Sequence, residues 1–397
     1  MSSSEDCSRT STSVKNLYLK LRDWLISEAM PKWSEHGVDR IHGGFQEALD
    51  LTSGIGCDHP KRGRLCPRQV YSFIEAAELG WKGPWVQTAN DGLSWYLQHY
   101  RKGDGTFAAL ADPDGTITDA GFDLYNQAFA LFAFGQVAKI MPERASEMIG
   151  EARRLMDILK GSYAHPERGF REDNPDRLPL CSNPHMHMFE ACLALETIDS
   201  DGPWQELADE IAALAMDCFI DPTNGGLREF FDMDWSPMSG DKGRVMEPGH
   251  QFEWAWLLAR WGRLRQNASA LVKARRLYQI GIDYGLSADG KVAVMALNDD
   301  FTLRDPVARL WGQTEWLKSA IILADLSVGI ERETYMQDIL RAGDALFLYF
   351  DAAPSGLWRD KLLPDGHFAD DPVPASSFYH IVCAIAELKD FAGNQDA

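Results

Sequence analysis

Six times along the chain, a glycine is followed by an apolar or aromatic residue and then by a short extended stretch with a polar end. The copies read GGFQEALD from residue 43, GTFAALADPDG from 105, GFREDNPD from 169, GGLREFFD from 225, GKVAVMALNDD from 290 and GLWRDKLLPDG from 356. With Gly44, Gly105, Gly169, Gly226, Gly290 and Gly356 as markers, the intervals are 61, 64, 57, 64 and 66 residues. So steady a period means one supersecondary unit used six times. It overrides the two or three domains that a length of 397 residues would otherwise suggest.

Between markers the chain reads as two helices. Those that precede a marker, such as SVKNLYLKLRDWLISEAMPKW and WQELADEIAALAMDCFI, carry apolar residues at helical spacing with charges between them. RRLMDILKGSY and ALVKARRLYQIGIDYG follow the same rule. The helices after a marker, YNQAFALFAFGQVAKI, FEWAWLLARW and SSFYHIVCAIAEL, are apolar nearly all round, which suits an inner layer. Six hairpins alternating outer and inner helices predict a closed double ring, an (α/α)6 barrel. The glycine-marked stretches become short strands or hairpins at one rim, where glycine permits tight turns. The opening MSSSEDCSRTSTS has no apolar core and is expected as a disordered tail over residues 1–13, with a single barrel domain over 14–397.

In such a barrel every inner helix starts at the same rim and faces one central cavity, so polar residues in the first turns should converge. Those turns hold Arg68 in RQVYSF, Tyr125 and Asn126 in DLYNQAFA, and Asn183, His185 and His187 in SNPHMHMFE. They also hold His250 and Glu253 in EPGHQFEWAW, Arg309, Gln313, Glu315 and Trp316 in RLWGQTEWLK, and Ser376, Ser377 and His380 in PASSFYHIV. Taken singly, Ser376 or Asn183 is an ordinary helix cap. It is the recurrence at one repeat phase, with four of the ten histidines, that marks a site. His185 and His187 are two apart on a helix and point about 200° away from each other. One is expected in the cavity and the other in support of the helix start. For Glu253, one turn from His250, the expected role is to orient the histidine or hold a substrate hydroxyl, and no metal or cofactor is expected.

Charge narrows the partners. A net charge of −20 repels phosphate backbones and anionic lipid, so neither nucleic acid nor a membrane surface is expected, while a neutral small molecule suffers no such penalty. Seven scattered cysteines without a C-x-x-C pair fit reduced thiols in a cytoplasmic protein, expected as a monomer or homodimer.

The motifs RQVYSF, SNPHMHMFEA, EPGHQFEWAWLL, RLWGQTEWLK and SSFYHIV together resemble those of the N-acylglucosamine 2-epimerase superfamily, and within it the mannose isomerase-like members. The resemblance spans nearly the whole chain from about residue 14. It implies the (α/α)6 barrel, unphosphorylated or lightly modified sugars, and chemistry that needs no metal. Carried onto matching positions, it places two acid/base histidines at His250 and His380, and a third cavity histidine at His187. It gives substrate-holding roles to Arg68, Tyr125, Asn183 and Glu253. One departure is Gly312, where related chains often have proline.

Mannose–fructose interconversion requires pyranose opening, loss of the C2 proton and return of a proton to C1 through a cis-enediol. Histidine suits this, since a pKa near 6.5 lets it accept and donate at neutral pH. Arg68 would stabilise charge developing on the enediolate oxygen. His250 and His380, expected on opposite inner helices, could divide ring opening from C1–C2 transfer, or act on the two faces of C2 as a 2-epimerase of the N-acylglucosamine or cellobiose type. D-lyxose is a further candidate substrate. Gln313, Glu315 and Trp316 are expected to hold the sugar, with Trp254 and Trp256 as possible stacking faces. Two rivals remain. Glu253 and Glu315 would be the carboxylate pair of a glycoside hydrolase. Lys61, Arg62 and Arg64 in HPKRGR would be a phosphate clamp for mannose 6-phosphate, although such a run is more often a solvated loop.

Overall fold

The computed structural model describes residues 2–393, with side chains from Thr10 onward. Met1 and residues 394–397 lie outside the described residues. The inner helices are Leu65–Glu78, Leu124–Ile140, Ser182–Leu195, Pro248–Leu264, Leu310–Asp325 and Ser376–Gly393. Each packs on the next, and the last packs on the first, so the ring closes. The outer helices are Ser2–Trp24, Trp85–Tyr100, Ala145–Ser162, Trp204–Leu214, Ala268–Tyr284 and Gly329–Asp351. The fold is the (α/α)6 barrel that the repeat predicts.

The two layers differ as their sequences require. In Ala145–Ser162 the buried residues Met148, Ala152, Leu155, Met156 and Leu159 form one stripe along the helix, and the rest are half-buried or exposed. In Leu124–Ile140 every residue from Asn126 to Ala138 is buried, between the cavity on one side and outer helices on the other. Asp123 starts this helix by accepting the Tyr125 backbone N–H at 2.9 Å. The Ser2–Trp24 helix begins earlier than the tail expected to end near Val14. Thr10 is buried and its hydroxyl donates to Glu333 at 2.6 Å, because this outer helix packs against Gly329–Asp351.

Short antiparallel strands stitch the rim together. The strand just before an inner helix pairs with the hairpin of the following unit: Lys61–Arg62 with Leu110–Ala111, Leu180–Cys181 with Phe230–Phe231, Val245–Met246 with Ala296–Asn298, and Ala308–Arg309 with Lys361–Leu362. Val373–Pro374 returns to Ala48–Leu49 and completes the circle. Marker glycines turn the chain into these strands with positive φ, for example 86° at Gly105 and 75° at Gly356. In the fourth copy the residue in this conformation is Gly225 (φ 81°), one before the expected marker.

A glutamine clamp at one repeat phase holds three of the six hairpins to inner helices. Gln127 bonds both the N–H and the C=O of Phe107 at 2.9 Å. Gln251 does the same to Leu227 at 2.8 Å, and Gln313 to Ala293 at 2.7 and 2.9 Å. In the third unit His185 occupies this phase. Its Nε2 accepts the Phe170 N–H at 3.0 Å and its Nδ1 bonds the Cys181 carbonyl at 2.8 Å. Burial pushes this imidazole down to about 4, so it is neutral, as both bonds require. Among the described residues no helix is long and apolar enough to cross a membrane, and the six described cysteines are all free thiols.

Candidate active site

The inner helices open at the strand rim onto a cavity of about 240 Å³. Its wall is built from Arg62, Arg64 and Arg68, Tyr125, Asn183 and His187, Glu247, His250 and Glu253, Met295, Arg309 and Trp311, and Ser376, Ser377 and His380. Every inner helix contributes, which is the geometric reason the polar first turns converge.

Three histidines face this cavity in different electrostatic settings. His250 Nδ1 lies 3.0 Å from Glu229 Oε2 and 3.7 Å from Glu247. Burial alone would lower its proton affinity, but these two carboxylates overcome that and hold the imidazole up to about 10. His380 Nδ1 lies 2.8 Å from Glu315 Oε1, yet burial, with Arg68 and Lys318 nearby, holds it well below 6.5. At neutral pH one histidine is therefore a cation and the other a free base. His187 contacts Glu190 at 3.3 Å, packs edge-on to Tyr125, and is pushed down to about 3 by burial.

His250 and His380 are not on opposite helices. They flank the Leu310–Asp325 helix, and the Trp311 ring stands between them, 5.1 Å from one imidazole and 5.9 Å from the other. Arg68 stacks on Phe129 at 4.1 Å, donates to the Ser376 carbonyl at 3.1 Å and hydrogen-bonds the Tyr125 hydroxyl. Among the buried polar atoms left without a protein partner are Arg68 Nε, Asn183 Oδ1 and Glu253 Oε1, all on residues of the cavity wall. Burial, with Glu315 beside it, raises the Glu253 carboxyl well above its usual range, which favours the protonated form that can donate to a ligand oxygen.

Several expected residues are elsewhere. Gln313 is a hairpin clamp, and Trp316 is fully buried, stacked with Phe252; neither lines the cavity. Trp254 and Trp256 are likewise buried off the cavity wall, Trp254 against Phe189 and Phe219 and Trp256 against Lys318. Glu315 supports His380 from behind and pairs with Lys318 at 2.7 Å. That orientation removes the carboxylate pair a glycoside hydrolase would aim at a glycosidic bond. Lys61 is no solvated loop residue: it is buried and bonded to Asp39, Gly43 O and Pro113 O. Arg62 and Arg64 do reach the cavity, with Arg62 paired to Glu47.

Glu229, Glu247 and Trp311 are site residues that sequence reasoning passed over. A signal existed for the first: an acid stands three residues after the glycine in GGFQE, GFRE and GGLRE, giving Glu47, Glu172 and Glu229. Each works at the start of an inner helix: Glu47 on Arg62, Glu172 on the Cys181 N–H, Glu229 on Ser182 and His250. Two clusters, His187–Glu190–Glu253 and Glu253–Glu315–His380, bring three potential metal-ligating atoms within 4.8 Å. In each cluster two of the three residues are already bonded to each other, His187 to Glu190 and His380 to Glu315, and Arg68 and Lys318 place positive charge nearby.

The closed six-hairpin barrel thus gathers three histidines and several carboxylates around one cavity at its rim. The description N-acylglucosamine 2-epimerase matches residues 43–384, and the chain belongs to that family as a mannose isomerase-like member. A mannose-6-phosphate isomerase of Rhizobium meliloti (strain 1021) is 52% identical over 94% of this chain and 96% of its own. A D-mannose isomerase of Pseudomonas cannabina pv. alisalensis is 24% identical, covering 90% of this chain and 92% of its own. A crystal structure of a D-mannose isomerase superposes with a TM-score of 0.84 at 20% identity, covering 94% and 97% of the two chains. The protein is an enzyme of the sugar isomerase and epimerase type.

Proposed function

We propose that the enzyme interconverts D-mannose and D-fructose through a cis-enediol, with His380 as the base and His250 as the acid. The observation that carries this reading is the opposed charge state of two histidines sharing one cavity, each with its own carboxylate. His250 donates its proton to the ring oxygen as the C1–O5 bond breaks, while the O1 hydroxyl passes its proton to solvent water, from which His250 is reprotonated, so ring opening is proton-neutral overall. His380 Nε2 then removes the proton from C2 and returns it to C1. The O2 proton moves to O1, and Arg68 with Tyr125 holds the charge that develops on these oxygens. Positioned acid/base groups of this kind contribute about 10²- to 10⁴-fold each.

A free sugar suits the cavity because two of its four arginines are already closely paired with carboxylates. Arg62 pairs with Glu47, Arg309 with Asp360 at 2.9 Å, and Glu247 shares the same wall. A second reading, mannose 6-phosphate as substrate, is favoured by the 52% identical relative and by Arg62, Arg64 and Arg309 in one cavity wall. Measuring kcat/KM for both sugars decides between them. The free-sugar reading expects D-mannose to be preferred by at least about tenfold; the opposite preference would transfer the assignment to the phosphorylated sugar.

A further inference from the structure

Lys318 is fully buried on the Leu310–Asp325 helix and is not part of the cavity wall. Its Nζ lies 2.7 Å from Glu315 Oε2, and Glu315 Oε1 lies 2.8 Å from His380 Nδ1. Its other close contacts are the Trp256 ring face at 3.8 Å and the Cys383 sulfur at 3.9 Å, and the Glu253 and Glu190 carboxyl groups also act on its charge. A lysine, a carboxylate and an imidazole thus form a chain that ends on the ring nitrogen facing away from the substrate.

We propose that Lys318 is a positioning residue that fixes the tautomer of His380 by keeping Glu315 ionised, an inference that rests on His380 being the base of the isomerisation. A buried carboxyl without a counter-charge takes a proton. Burial does push Glu315 up, and Lys318 is the strongest influence opposing it. With Lys318 present, Glu315 is a carboxylate that accepts Nδ1–H, and the Nε2 lone pair is left for the C2 proton. Without Lys318, Glu315 becomes a carboxylic acid and donates to Nδ1. The ring proton then sits on Nε2, and His380 faces the sugar with an N–H where a base is needed. Only the tautomer changes; no cavity contact is removed.

The test uses the full chain with ¹⁵N-labelled histidine, His380 being assigned from its absence in His380→Ala. The wild-type His380 is expected as the Nδ1–H tautomer, and Lys318→Met as the Nε2–H tautomer. Turnover of Lys318→Met on the sugar should fall by about 10²-fold or more, with KM within about threefold. Should that variant fail to fold, Glu315→Gln carries the test with Lys318 in place. Its amide oxygen turns to the ammonium and its NH₂ to Nδ1, giving the same tautomer change and the same loss of turnover. A folded variant of either kind that keeps Nδ1–H, or keeps near wild-type kcat, overturns the proposal. A wild-type protein inactive on mannose and on its 6-phosphate would instead remove the isomerase reading, while the tautomer measurement still answers for Lys318.

Discussion

Replacing Glu229 by glutamine should move the alkaline limit of catalysis. His250 is held up to about 10 although burial pulls it below 6.5, so its neighbouring carboxylates, Glu229 and Glu247 with a smaller share from Glu253, together supply more than about 3.5 pH units. In free energy that is more than about 5 kcal/mol. Glu229 is hydrogen-bonded at 3.0 Å and Glu247 stands at 3.7 Å, so at least half belongs to Glu229. Glu229→Gln should therefore lower the proton affinity of His250 by about 2 pH units, within the 1–3 units typical of an adjacent opposite charge. The sign follows from the role: an acid is active while protonated, so kcat/KM of the wild type falls as pH rises through about 10. The variant should lose activity through about pH 8, and at pH 9 its deficit should exceed that at pH 7 by about tenfold. The assay is a kcat/KM profile from pH 6 to 10.5, with the ¹⁵N shifts of His250 followed in parallel. An unmoved alkaline limb with unchanged His250 shifts would refute the electrostatic account of this residue.

Other predictions concern single residues. His250→Ala and His380→Ala should each cut turnover by at least about 10²-fold with unfolding midpoints near wild type, and near wild-type activity in both would remove the assigned chemistry. Gln313→Ala breaks a two-bond clamp and should cost about 1–3 kcal/mol in urea unfolding while leaving KM unchanged. A KM rise without loss of stability would return Gln313 to the sugar. Gly312→Ala should stabilise by about 0.5–1 kcal/mol. It lies in a helix, and a Cβ there would meet nothing closer than Ala293 at 3.8 Å.

The barrel was legible because its repeat is enforced by backbone geometry. Glycines at positive φ must recur wherever the rim turns, and the outer stripe and inner all-round burial are written directly in hydrophobic periodicity. The cavity was legible as far as repeat phase reveals it, which is why Arg68, Tyr125, Asn183, His187, His250, Glu253 and His380 come together. Phase alone also misled. Gln127, Gln251 and Gln313 share one phase because they clamp hairpins, and His185 sits in that phase as their substitute, so recurrence there reports structure and not chemistry. What was hidden depends on contacts between units. Glu229 reaches His250 from the hairpin that carries Phe230–Phe231, paired to the strand before a different inner helix, and sequence distance gives no sign of that pairing. Trp311 was overlooked beside Trp316 because both lie on one helix start, and only the helix rotation shows which ring faces the cavity.

The central claim is that the histidine pair moves a proton between C2 and C1 and does not invert C2. An NMR time course with D-mannose in D₂O tests it most directly. The account predicts fructose as the first product without glucose, with part of the C1 position retaining hydrogen carried over from C2. Glucose as the first product would contradict it and make the enzyme a 2-epimerase.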